Sequence, residues 1–188
     1  LDWAQIPVLP IDHLLWSPQV DIEAQARICY DEHALYVHME AKEALIRAEN
    51  FGPLDAPCED SCLEFFFCPI SGDNRYFNIE FNPNCCLYLG FGSGISDLIR
   101  LIPPSPELLS PKAVKTTDGW EITYQVPVSF IRQFFPDFAP TPGTSIRGNF
   151  YKCGDETKKM HFLAWNPITR TGVSVFHTPS QFGMLKFQ

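Results

Sequence analysis

Between residues 58 and 92 the chain alternates with a period of two, CEDSCLEFFFCPISGDNRYFNIEFNPNCCLYLGFG. Leu63, Phe65 and Phe67 share one face, and Cys62, Glu64, Phe66 and Cys68 share the other. After the turn Ser71-Gly72-Asp73-Asn74, residues Phe77, Ile79 and Phe81 alternate with Tyr76, Asn78 and Glu80. Asn82-Pro83-Asn84 then turns the chain toward Cys86, Leu87, Tyr88 and Leu89. Such alternation, bounded by Gly, Pro, Asn and Asp, predicts three antiparallel strands with one face on a core. Glu64, Asn78 and Glu80 then stand on strands, which fix a side chain more tightly than loops do. Their face either solvates the sheet or forms a preorganised binding surface.

The same pattern recurs along the chain. Ala26, Ile28 and Tyr30 form one side of a strand, and Leu35, Val37, Met39 and Ala41 the inner face of the next. His38 and Glu40 face the other way. Prolines at 7, 10 and 18 forbid a long helix at the start, so residues 1–20 predict an extended segment over the sandwich edge, with Trp3 and Trp16 as packing residues. Residues 42–57 read either as a short helix or as a strand running into a loop, and 94–111 as a surface excursion with one helical turn near Asp97. Residues 116–119 (TTDG) signal a hairpin into a strand whose inner face is Trp120, Ile122, Tyr124 and Val126. Pro127 ends that strand, and Ser129 is expected to cap a short helix from Phe130 to Phe135. Further strands follow at 146–153, 161–165 and 184–187. Nine or ten short strands, one short helix and no helical repeat predict an all-β fold, an antiparallel β-sandwich.

Composition narrows the functional classes. A length of 188 residues with 16 Phe suits a single domain over 1–188 with a sizeable core. The formal charge of −8 excludes a phosphate-binding surface, so no nucleic-acid partner is expected. No apolar run approaches the roughly 20 residues of a bilayer span, and no basic-then-apolar leader opens the chain, so no membrane partner is expected. Seven cysteines at irregular spacing predict reduced thiols and a cytoplasmic location. Cys58-x-x-x-Cys62 and Cys85-Cys86 lack a second Cys/His pair at zinc-ligand spacing, so no metal site is expected from spacing.

Catalytic signatures are missing. There is no Gly-x-Ser-x-Gly elbow, no phosphate-binding glycine loop and no His-Glu-x-x-His helix. Glu64 and Glu80 on neighbouring strands have the types and the reach of a glycosidase pair, but paired strands bring many carboxylates together with no catalytic role. No catalytic residue is assigned.

The order of five segments is more specific than any one of them. Residues 30–37 (YDEHALYV), 57–66 (PCEDSCLEFF), 119–122 (GWEI), 165–167 (WNP) and 176–185 (FHTPSQFGML) resemble, in sequence order, motifs of the family 9 carbohydrate-binding modules. The resemblance implies a jelly-roll-like sandwich shared with the wider DOMON group. It also implies a non-catalytic module that holds a sugar ring between aromatic side chains while polar groups bond its hydroxyls. Carried onto this sequence, the two aromatic positions fall on Cys58 and Phe176, the polar glutamate on Glu64 and a basic sugar contact on Asn78. Ligand binding is thus expected at Cys58, Glu64, Asn78 and Phe176, with Phe176 as the stacking face, Cys58 on the floor and a saccharide of unspecified type as partner. No cofactor is expected; calcium occurs in the family, but no acidic loop here assigns its ligands. Related sandwiches carry haem, for which Met39, Met160, His38 and His161 are the candidate axial ligands of a rival electron-transfer reading. A protein-interaction module is the other alternative.

Overall fold

The computed structural model describes residues 1–169 and 175–188. In chain order the strands are β1 (Leu9–Pro10), β2 (His13–Leu14), β3 (Glu23–Tyr30), β4 (Ala34–Lys42), β5 (Cys62–Cys68), β6 (Tyr76–Phe81), β7 (Leu87–Gly92), β8 (Ile99–Arg100), β9 (Lys112–Lys115) and β10 (Gly119–Pro127). After the single helix α1 (Val128–Ile131) come β11 (Ser145–Gly154), β12 (His161–Ala164) and β13 (Gly183–Lys186). A five-stranded sheet, β1-β3-β4-β10-β9, faces an eight-stranded one, β2-β12-β11-β5-β6-β7-β8, with β13 also paired to β11. The pairings are antiparallel throughout the described residues. This is the expected β-sandwich. The strands beyond the ten expected are two-residue bridges, and β1 and β2 let the first segment clasp an edge of each sheet.

The core lies where the alternation places it. Leu63, Phe65, Phe67, Phe77, Ile79 and Phe81 from the larger sheet meet Leu35, Val37, Met39, Trp120, Ile122 and Val126 from the smaller. Phe65 stacks on Phe150 at 4.4 Å and on Phe67 at 4.9 Å, and Phe81 meets Tyr124 at 5.0 Å. Each such ring taken from water contributes about 1.5–3 kcal/mol before entropy is counted. α1 closes one end, with Phe130, Phe134 and Phe135 around Phe77.

One local expectation changes, and of the two readings of 42–57 the strand running into a loop holds. Ser129 does not cap the helix: Pro127 holds the N-cap position, and the Val128 N–H is bonded to His33 O at 2.7 Å, which launches the helix before Ser129 is reached. Residues 43–56 form no α-helix although Lys42-Glu43-Ala44-Leu45 suits one. Their backbone donors are drawn to side chains instead. Asp60 Oδ2 accepts from Glu49 N at 3.0 Å, Asn50 N at 2.9 Å and Asn82 Nδ2 at 2.7 Å, while Asp60 Oδ1 pairs with Arg47. The excursion at 94–111 contains a 3-10 turn over Ile95–Asp97, as expected near Asp97, then β8 and a second 3-10 turn. No helix of the described residues is long and apolar enough to cross a membrane.

Candidate functional site

The outer face of the larger sheet holds Glu64 and Asn78, and Phe176 and Cys58 pack at its cover and border. Register fixes two rows across it. Tyr151, Glu64, Glu80 and Tyr88 are successive partners, and so are Asn149, Phe66, Asn78, Gly90 and Arg100. Cys153 and Cys62 are partners in the row beyond Tyr151 and Glu64. Glycine at 90 is required by this packing, since a Cβ there would stand 2.8 Å from the Tyr88 ring and 3.2 Å from Asn78 Cβ.

This face is covered, not open. Sequence reasoning treated it as a solvated or binding surface, yet Glu64 is 2% exposed, Asn78 0% and Glu80 7%. The cover comes from segments remote in sequence. Trp16 stacks on Phe162 at 5.0 Å and leans on Phe176 at 5.6 Å. Phe176 lies flat on Tyr151 at 4.0 Å, and Tyr151 Oη donates to Phe176 O at 3.1 Å. Tyr76 Oη sits 2.7 Å from His177 Nδ1, and Phe182 packs edge-on against Tyr76. The expected role of Phe176 as an open stacking face is therefore corrected: its ring is 8% exposed and already stacked on a protein ring. Cys58, on the 3-10 turn Pro57–Glu59, borders the cluster and is half-buried, as is Tyr88.

The polar groups beneath this cover are incompletely satisfied. Asn78 Nδ2 donates to Glu80 Oε1 at 3.0 Å, and the Cys153 thiol donates to Glu64 Oε1 at 2.8 Å. Glu64 Oε2 and Asn78 Oδ1, both buried, have no partner among the described residues. An unpaired buried acceptor costs about 1–3 kcal/mol and in a native fold calls for a reason. Burial, followed by the facing Glu80 carboxylate, raises the Glu64 carboxyl well above the usual range. Burial pushes Glu80 up to about 7, opposed by the bond from Asn78. Burial also lowers His177 to about 4, so its ring is neutral at neutral pH. The chemistry available is acceptor-rich, apolar-walled and suited to hydroxyl donors.

The chain matches the family model "Carbohydrate-binding family 9" over residues 1–187. It belongs to carbohydrate-binding family 9. A crystal structure from Bacteroides uniformis, of a protein provisionally described as carbohydrate-binding, is 31% identical. It superposes with a TM-score of 0.84, covering 100% of this chain and 89% of that one. Two structures of a family 9 module from Caldicellulosiruptor kristjanssonii, one in complex with glucose and one with cellotriose, give TM-scores of 0.69 at 16% identity. They cover 99% and 98% of this chain and 86% and 83% of theirs, a likeness that shows the fold. Curated proteins yield no match.

For this family 9 chain, the structure gathers Glu64 and Asn78 on adjacent strands, with Phe176 reaching their rows only through Tyr151 and Phe66. Sequence reasoning left Tyr151, Tyr88 and Tyr76 out of the site. Their period-two phase with Glu64, Glu80 and Asn78 was the available signal. The haem ligands of the rival reading do not converge. Met39 is buried between the sheets, His38 stacks on Trp3 at 5.3 Å on the far face of the smaller sheet, and Met160 is exposed. His161 Nε2 lies 2.8 Å from Lys152 Nζ, which also pairs with Glu43 at 3.2 Å. Trp120 Nε1 and Ser61 Oγ donate to the same Glu43 carboxylate, so that buried cluster is internally satisfied and holds the end of the core.

Proposed function

We propose that this module binds a saccharide on the outer face of the larger sheet and does not turn it over. The buried acceptors Glu64 Oε2 and Asn78 Oδ1, left without partners beside Glu80, carry this reading. Sugar hydroxyls supply the missing donors, and neutral polyols tolerate an acceptor-rich site that repels anions. Tyr88 and Cys58 are half-buried at the edge of this face, and Phe176 stacked on Tyr151 supplies its aromatic side. The glucose and cellotriose held by the structures from Caldicellulosiruptor kristjanssonii make a glucose unit or a short glucan the first ligands to test. Binding without hydrolysis agrees with the setting of Glu64 and Glu80, which face each other under cover and not across an open cleft. Hollows elsewhere include one of about 420 Å³ between Ile28, Tyr30, Trp165 and Phe187, lined mainly by apolar groups.

Titration calorimetry with glucose, cellotriose and a panel of soluble sugars tests this. Saturable heat is expected for the wild type and loss of it for Glu64→Ala and Asn78→Ala, with near-ultraviolet circular dichroism showing that both variants fold. Unchanged affinity in both variants removes the site.

A further inference from the structure

Cys62 and Cys153 are 91 positions apart in sequence but are register partners on β5 and β11. Glu64 follows Cys62 by two residues and so projects from the same face. One thiol from each cysteine and one oxygen of Glu64 lie within 4.8 Å of one another, with Cys153 Sγ 2.8 Å from Glu64 Oε1. In a tetrahedral zinc site, bonds of about 2.3 Å to sulfur and about 2.0 Å to oxygen place neighbouring donors roughly 3.5–3.8 Å apart. Closing on an ion needs Cys153 Sγ and Glu64 Oε1 to part by about 0.7 Å, and the 4.8 Å limit leaves about 1 Å at most to be drawn in elsewhere. All three are 0–2% exposed, in apolar surroundings that include Phe66, Tyr151 and Ala164. Cys58 packs against the same cluster, its carbonyl oxygen 3.9 Å from Cys153 Sγ.

We propose that Cys62, Cys153 and Glu64 hold a thiophilic divalent cation, zinc, and that the Cys58 thiol, which lies outside this 4.8 Å group, turns in to supply the fourth corner. Soft thiolates with one carboxylate in a tetrahedral set select zinc over calcium or magnesium. Binding replaces the thiol protons, and the Glu64 proton where that carboxyl carries one, and releases them to solvent. The cation also answers an electrostatic problem. Glu64 and Glu80 stand directly opposite, a like-charge pairing that destabilises a sheet, and among the described residues neither forms an ion pair. The pairing of Cys62 with Cys153 is invisible to spacing, which is why the Cys58-x-x-x-Cys62 segment alone lacked a second half. The proposal does not rest on sugar binding: it uses the thiols and Glu64 Oε1, whereas hydroxyl recognition was assigned to Glu64 Oε2 and Asn78 Oδ1.

The test is metal content of the full chain, produced with zinc supplementation, followed by unfolding with a chelator and refolding with Co²⁺. Stoichiometric zinc is expected, and the Co²⁺ form should show thiolate-to-metal charge transfer in the near ultraviolet with visible tetrahedral bands. Cys62→Ser/Cys153→Ser should lose the charge transfer. Glu64→Gln should keep it while weakening zinc by roughly 10-fold or more, as loss of a supporting ligand does. X-ray absorption of the zinc-loaded wild type reads the site even if the double variant fails to fold, and sulfur neighbours at about 2.3 Å are expected. Wild-type protein that carries no zinc and shows no charge transfer after refolding with Co²⁺ overturns the proposal. So does a zinc shell of oxygen and nitrogen alone, or undiminished binding in a folded double variant. No arm contains a sugar, so failure here is separate from failure of the saccharide reading.

Discussion

At the scale of single residues, Glu80 makes the outer face measurable through pH. Its carboxyl is raised from an ordinary 4.5 to about 7 by burial, so the folded state holds the proton more tightly than the unfolded chain. Stability from this group is therefore full below about pH 4.5 and is lost as pH rises through about 7. Buried His161 and His177, lowered to about 4, act with the opposite sign between there and 6.5, so the wild-type profile alone is a sum. The difference between wild type and Glu80→Gln removes the histidine contribution and reads Glu80 together with its effect on the facing Glu64. Denaturant unfolding at about pH 5 and about pH 8 should show the wild type losing about 2–3 kcal/mol more than the variant across that interval. Equal losses in the two proteins would mean that Glu80 titrates normally and is not buried as described. The positions of Glu64, Asn78 and Glu80 on one face were legible in the sequence, because Phe and Ile mark the opposite phase of each strand. Their burial was not. The residues that pack over Tyr151 and Phe66 in the same rows, Trp16 and Phe176, come from segments remote in sequence with no period of their own.

At the scale of elements, β10 and the segment before β5 show how backbone demands override side-chain patterns. Gly119 opens β10 opposite Lys42, and a Cβ there would fall 1.9 Å from Ala41 O, a backbone atom that cannot rotate away. Gly119→Ala should cost about 3 kcal/mol or more in thermal or denaturant unfolding, and a cost under about 0.5 kcal/mol would contradict this register. The turn at 116–119 was legible because Asp-Gly at a hairpin is a local signal. At 43–56 the sequence left a short helix and a strand running into a loop both open, and Asp60, from outside the segment, decides for the loop. That carboxylate is held below the usual range: hydrogen bonds from Asn50, Asn82 and Glu49 and the Arg47 charge outweigh burial, the largest single influence on it. Asp60→Ala leaves those donors unanswered, although Arg47 keeps Glu49 and Glu156 as partners, and should cost about 1–3 kcal/mol, with proteolysis concentrated in 43–56. A variant as stable and as protease-resistant as the wild type would show that the loop is held by something else. Likewise the helix began at Val128 and not beyond Ser129, since a tertiary bond from Val128 N to His33 O sets its start.

At the scale of the whole molecule, the two sheets divide the labour. The inner faces build a phenylalanine-rich core that fixes register, and that register aligns Tyr151, Glu64, Glu80 and Tyr88 across strands distant in sequence. The outer face of the larger sheet becomes a second, smaller core whose polar members keep unspent hydrogen-bonding capacity. This second core is where recognition is proposed. Backbone amide shifts followed by nuclear magnetic resonance during titration with cellotriose test this most directly. Saturable shifts concentrated on β5, β6 and β7, centred on Glu64, Asn78, Glu80 and Tyr88, are expected. Saturable shifts centred on the far face of the smaller sheet, around His38 and Trp3, would contradict the account, as would none at all from cellotriose or the other sugars of the panel.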